Sequence, residues 1–166
     1  KKHLYDADVV WLLELVIFSF NSRIQCVGLP LGNLTSQLLV NILMNDFDQF
    51  VKHHLRAKYY LRYADDFIIL SHDRNYLLQI LSPINFFLLD KLKLTLHPSK
   101  VFLKTLASGV DFLGWVHFPD HRVLRTATKR RMLVRVANHP TDETIMSYAG
   151  MLGWGNANKL REKVLN

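Results

Sequence analysis

Two carboxylates stand side by side at Asp65-Asp66, between the strand-like stretches 58–64 and 67–71, both rich in Tyr, Ile and Leu. Adjacent like charges repel each other and bury nothing, so a sequence that keeps them between apolar strands has few strong uses for them. One is binding a hard divalent cation such as Mg²⁺, or Mn²⁺ in its place, which prefers carboxylate oxygens and substrate phosphates. Two such ions about 3.5–4 Å apart can clamp the attacking and leaving oxygens of a phosphoryl transfer. The same pair read alone is also compatible with a solvated Asp-Asp turn.

A second feature precedes it, Gly28-Leu29-Pro30-Leu31-Gly32-Asn33-Leu34-Thr35-Ser36-Gln37. Its glycines let backbone N–H groups come close to a ligand, and the N-terminus of the helix that follows favours anions. A triphosphate or a nucleic-acid backbone suits such a loop; an ordinary capped helix start is the plainer reading.

The elements that must position these groups follow from periodicity. Residues 6–20 read as a largely buried helix and 23–27 as a short strand. Leu38, Leu39, Ile42, Leu43, Phe47 and Phe50 recur at helical spacing, which predicts a helix over 35–53 capped by Thr35 or Ser36. The two apolar stretches around Asp65-Asp66 predict a β-hairpin. A helix is expected over 75–92, with Pro83 kinking or dividing it. Short strands are expected at 101–105, 111–117 and 122–125, with a turn at Pro119-Asp120-His121, and helices near 129–138 and 142–152. Helices and antiparallel strands without a regular βαβ rhythm place the chain in the α+β class.

Composition bounds the function. The 166 residues carry 21 Lys and Arg against 14 Asp and Glu, a net charge of +7, with 49% hydrophobic residues. That is a folded chain with a polyanionic partner as one explanation of its charge. No acidic residue falls within 121–141, where Arg122, Arg125, Lys129, Arg130, Arg131 and Arg135 all lie. The single Cys26 forbids an internal disulfide and fits a small buried side chain in a reducing compartment. The longest apolar run, 9–20, is interrupted by Glu14 and Ser19 and is too short to span a bilayer, which needs about 20 residues. His117 and His121 have a zinc-like spacing but no cysteine partners, and read as surface histidines. Trp11, Trp115 and Trp154 read as packing residues before base-stacking ones.

The Gly-Leu-Pro loop and Tyr63-Ala64-Asp65-Asp66, in this order, resemble the reverse transcriptases of bacterial retroelements. The wording of residues 28–37 is most similar to the diversity-generating branch; group II intron and retron enzymes usually carry Ser-Pro where this chain has Ser36-Gln37. Residues 94–100, Leu-Thr-Leu-His-Pro-Ser-Lys, resemble the next motif of that family, and 110–115, Val-Asp-Phe-Leu-Gly-Trp, resemble its primer grip. The likeness extends over about residues 1–155. It implies a polymerase palm over 1–120, without fingers or first palm strand, and the start of a helical thumb over 121–166.

The resemblance also implies roles. Asp65 and Asp66 would bind the catalytic Mg²⁺ ions, and Tyr63 and Ala64 would pack near the primer end. Gly28, Leu29, Pro30, Leu31, Gly32, Asn33 and Gln37 would contact the incoming dNTP and template. Lys100 would approach the triphosphate as general acid for pyrophosphate. Leu113 and Gly114 would position the primer strand. Arg122, Arg125, Lys129, Arg130, Arg131 and Arg135 would meet nucleic-acid phosphates, which Lys and Arg neutralise whatever the sequence. The implied partners are an RNA template, a DNA primer and product, dNTPs and a small basic accessory protein, with no membrane, in a bacterial or phage-encoded cytoplasmic enzyme.

Family palms hold a further aspartate on a strand ahead of the Gly-Leu-Pro loop. No strand-borne Asp stands within residues 1–27; Asp6 and Asp8 read as helix-start residues. The isolated 166 residues are therefore expected to synthesise little DNA, and their parent protein to copy RNA with Mg²⁺; whether residues upstream of Lys1 supply the aspartate and the fingers stays open at this point. Two functions stay open: an RNA-directed DNA polymerase acting through two ions, and a catalytically incomplete, maturase-like module that only holds RNA. Metal-dependent primer extension separates them.

Overall fold

The computed structural model describes residues 6–18 and 34–165. The chain divides into two compact units, Lys1–Leu96 and His97–Asn166. The composition shift near residue 120 instead falls in the turn between two strands of the second unit.

In the first unit, α1 spans Ala7–Phe18. Asp6 starts it, its Oδ1 accepting from the backbone N–H of Asp8 at 2.9 Å and of Val9 at 3.2 Å. The helix is not buried as expected. Trp11 and Phe18 are each 63% exposed and no residue of α1 is buried. Its apolar residues lie all round the axis without a single stripe, and they are left exposed or half-buried.

Helix α2, Leu34–Gln49, widens at its end into a single π turn over Phe50–His54. Its inward stripe is shifted from the one expected. Met44, Phe47 and Val51 are buried, whereas Leu38, Ile42 and Leu43 are exposed. Residues 40, 44, 47 and 51 line up one helical face, and that face meets the hairpin β1 (Tyr59–Tyr63) and β2 (Asp66–Leu70) and helix α3 (Arg74–Phe87). Asp73 caps α3 by accepting from the Asn75 N–H at 2.8 Å. The helix runs through Pro83 and passes into a second π turn, Leu88–Leu92, ended by Lys93 at φ +56°. The core is Met44, Phe47, Val51, Ala57, Ile80, Ile84 and Leu88, with Tyr60, Phe67 and Ile69 packed on it from the hairpin.

In the second unit the stretch 101–105 is not a strand: it forms no sheet ladder, lying between the short 3₁₀ turns Pro98–Lys100 and Leu106–Ser108. β-propensity depends on packing context and does not by itself create a sheet ladder. The expected strand over 111–117 is a hairpin of two, β3 (Val110–Phe112) and β4 (Trp115–His117), and β5 (Arg122–Leu124) completes an antiparallel sheet of order β3-β4-β5. Helices α4 (Thr126–Asn138), α5 (Asp142–Leu152) and α6 (Asn158–Leu165) follow. They enclose Leu124, Met132, Leu152, Ala157 and Val164, with Trp115 of β4 against them. Thr141 caps α5 through the Thr144 N–H. Among the described residues no helix is long and apolar enough to cross a membrane.

Candidate active site

Hairpin register decides what the paired carboxylates face. Tyr63 pairs with Asp66, so the connection is Ala64-Asp65, one residue earlier than the Asp65-Asp66 loop expected from the apolar stretches. Directly opposed residues share a face, which puts Tyr60, Arg62, Phe67 and Ile69 inward on the core. Tyr59, Leu61, Tyr63 and Leu70 are exposed on the other face, with Asp66 in register beside Tyr63. Asp65 stands in the turn. Both carboxylates are exposed, and among the described residues no hydrogen bond or ion pair engages either.

The turn is strained. Ala64 has φ +51°, a left-handed conformation that an L-residue with a Cβ adopts at a cost of about 1–2 kcal/mol. Such strain persists only where its surroundings enforce it, and it gathers at functional sites. Here the enforcing group is Arg62, which the sequence reading missed. Its Nη1 donates to the Ala64 carbonyl at 2.7 Å and to Asn41 Oδ1 on α2 at 3.1 Å. Nε and Nη2 form a fork onto the two oxygens of Asp48, also on α2, at 2.8 and 2.6 Å. An arginine on the inward face of an aromatic strand had to find a partner, and that alternation was the signal available.

Asp48 also accepts from the Tyr60 hydroxyl at 2.7 Å. The Arg62 guanidinium holds the Asp48 carboxyl below its ordinary 3.8. A depressed carboxyl stabilises the fold above that range and ceases to do so as pH falls through it. Burial, then the bond to Asp48, pushes the Tyr60 phenol well above its ordinary 10.0. The neutral phenol is thus favoured in the fold, and its contribution is present below pH 10 and lost as pH rises beyond it. Denaturation midpoints measured from pH 8 to 11 should fall more steeply for the wild type than for Tyr60→Phe. Parallel curves would remove Tyr60 from the network.

Adjacent carboxylate oxygens are the right donors for a hard divalent cation, and Mg²⁺ is often held by only one or two carboxylates with waters and substrate phosphates completing its shell. The pair fits such an ion in donor type. Among the described residues no cluster of three or more His, Cys, Asp or Glu surrounds it.

Gly28, Leu29, Pro30, Leu31, Gly32 and Asn33 lie outside the described residues, as does Cys26. Gln37 is exposed on the first turn of α2. Lys100 is exposed at the end of the 3₁₀ turn Pro98–Lys100, in the second unit. Leu113 and Gly114 form the two-residue turn of the β3–β4 hairpin, at φ +53° and +83°. Two positive values match a type I′ turn, which favours glycine at its second position and strains a leucine at the first. A half-exposed leucine held in that conformation is a second strained apolar tip.

The basic residues divide into two groups. Arg122 lies over the Trp115 ring, 5.6 Å from its centroid, and Arg125 pairs with Asp111 at 3.2 Å. Lys129, Arg130, Arg131 and Arg135 are exposed on α4, where Arg131 and Arg135, with Val134 and Asn138 between and beyond, occupy one face. His121 pairs with Asp120 at 2.8 Å and stacks on Phe118.

No curated protein matches the sequence significantly. The model of one family, described as reverse transcriptase (RNA-dependent DNA polymerase), matches residues 5–117, which include α1, α2, the Asp65-Asp66 hairpin and the Leu113-Gly114 turn. With about two thirds of its length so matched, the chain belongs to the reverse transcriptase family.

Proposed function

We propose that the Asp65-Asp66 hairpin is the metal-binding centre of an RNA-directed DNA polymerase. The observation that supports this best is a pair of unengaged carboxylates on a strained, braced turn, in a chain of the reverse transcriptase family. Divalent ions held there would neutralise the charge that develops as a primer 3′ oxygen displaces pyrophosphate from a dNTP. Tyr63 and the exposed apolar face of β1 offer a surface for the terminal base pair. Gly28, Leu29, Pro30, Leu31, Gly32, Asn33 and Gln37 hold the nucleotide and template, and Lys100 gives a proton to the departing pyrophosphate. Leu113 and Gly114 position the primer. Residues up to about 120 serve as palm and those after it as the start of the thumb. The wording of residues 28–37 favours the diversity-generating branch, with a dedicated RNA template and a small basic accessory protein.

The test is extension of a DNA primer on an RNA template, with and without Mg²⁺, by the product of the full reading frame. Extension that requires both metal and Asp65 supports the reading. RNA binding with no extension would instead assign an RNA-holding module.

The exposed face of α4 suits the phosphate backbone. Arg131→Ala with Arg135→Ala should weaken RNA and DNA binding alike, whatever the sequence. For each phosphate that the variant no longer neutralises, the slope of log affinity against log salt should become shallower by about 0.7–0.9. Fluorescence anisotropy across several salt concentrations measures both; an unchanged slope would show that α4 does not meet the backbone.

A further inference from the structure

We propose that Arg62 is a positioning residue for the metal-binding carboxylates, acting through the Ala64 carbonyl and resting on the reading of Asp65-Asp66 given above. The Ala64 carbonyl shares a peptide plane with the Asp65 N–H. Holding its oxygen therefore fixes the orientation of the peptide that leads directly into Asp65. Arg62 Nη1 holds that oxygen at 2.7 Å. The guanidinium is itself fixed from the far side by the two-point fork onto Asp48 and by Asn41, so the turn is tied to α2 through both of those side chains. Only 11% of the Arg62 side chain is exposed, and Asp48 is further held by Tyr60. Arginine's rigid fork is what allows the double grip on a carboxylate to leave Nη1 for a third acceptor; a lysine ammonium is a point charge on a flexible stem and cannot reproduce it.

The arrangement also accounts for the backbone of Ala64. A positive φ at an alanine is unfavourable by itself, and the short bond from a shielded guanidinium is the described interaction that offsets it. Metal sites commonly depend on such outer partners, whose loss typically lowers metal affinity or activity by about 10–100-fold.

The decisive variant is Arg62→Lys, which keeps a cation beside Asp48 but not the fork. Its denaturation midpoint should stay close to that of the wild type. Amide hydrogen exchange at Asp66, which pairs with Tyr63 at the end of the ladder, should quicken while the Tyr60–Ile69 part of the ladder keeps its protection. Mn²⁺ affinity, followed by the paramagnetic signal of the free ion, should fall about 10-fold or more, and primer extension should need correspondingly more Mg²⁺. The exchanged pair Asp48→Arg with Arg62→Asp covers the case in which lysine is not tolerated. It should recover stability lost in Arg62→Ala without recovering Mn²⁺ affinity. Wild-type exchange and Mn²⁺ affinity in Arg62→Lys, or their full recovery in the exchanged pair, would overturn the proposal. A wild type that extends no primer would sink the polymerase reading alone, because exchange and Mn²⁺ affinity decide the role of Arg62 without it.

Discussion

Asp65→Asn should abolish metal-dependent primer extension while leaving the fold as stable as before or slightly more so. The substitution keeps the size and shape of the side chain and removes one charge. On the proposed reading, what chemistry loses is an anionic ligand for a divalent ion that offsets several kcal/mol of transition-state charge. At about 1.4 kcal/mol per factor of ten, a fall of roughly three orders of magnitude is expected. What the fold loses is a repulsion. Asp65 and Asp66 are exposed neighbours, engaged by no other side chain among the described residues, so nothing structural depends on the Asp65 charge. Relief of that repulsion contributes a few tenths of a kcal/mol at most in high dielectric. The two expected effects run in opposite directions, and that separates a functional carboxylate from a structural one. Single-turnover extension and a denaturation midpoint measured on the same preparation check it. A drop in stability matching the drop in activity would show that the carboxylate serves the hairpin and not the metal.

Much of this site was legible in the sequence because its signals are local. The hairpin announces itself through two apolar runs with polar residues between them, and its misplacement by one residue arises because such runs do not specify register. That register is fixed by which alternate residues face the core, here Tyr60, Arg62, Phe67 and Ile69. Asp6 at the start of α1 is local for the same reason, whereas the expected strand over 111–117 runs straight through the turn that the structure places at Leu113-Gly114. The errors are tertiary. Which stripe of α2 turns inward depends on what packs against it, and the run Leu38 to Leu43 is apolar on more than one side. The burial of α1 was inferred from apolarity, which says only that a helix has surface to cover. The strand expected at 101–105 had propensity, which by itself does not create a ladder. Helix α6 was missed because Gly153 and Gly155 precede it and it is short; the spacing of Leu160 and the buried Val164 was its one available mark. The brace on the turn was missed for a deeper reason. Arg62, Asp48 and Asn41 are far apart along the chain, and nothing local joins them.

That brace means the site's geometry rests on α2, and the apolar support for it converges on one ring. Phe47 is fully buried, with ring centroids 4.9 Å from Phe67, 6.2 Å from Tyr60 and 6.1 Å from Phe87. It touches both strands of the Asp65-Asp66 hairpin and the end of α3, and it lies next in sequence to Asp48. Phe47→Ala removes the ring from a closed core, where such truncations cost about 3–5 kcal/mol. The loss of its aromatic partners places the cost toward the upper part of that range, since each edge-to-face pair contributes about 0.5–1.5 kcal/mol beyond its area. Domains of this size are stable by about 5–15 kcal/mol in all, so the loss is a large share. Chemical denaturation should show a much lower midpoint, and extension should fall because both strands lose the surface that sets Arg62 and the Ala64 turn against α2. Phe47→Leu, which keeps most of the volume, should cost under about 1.5 kcal/mol and keep most of the activity. A truncation that costs less than about 1 kcal/mol would mean that the core closes over the gap and that the hairpin is held by the Arg62–Asp48 clamp alone. Activity lost through Phe47 should therefore follow stability, whereas activity lost through Asp65 should not.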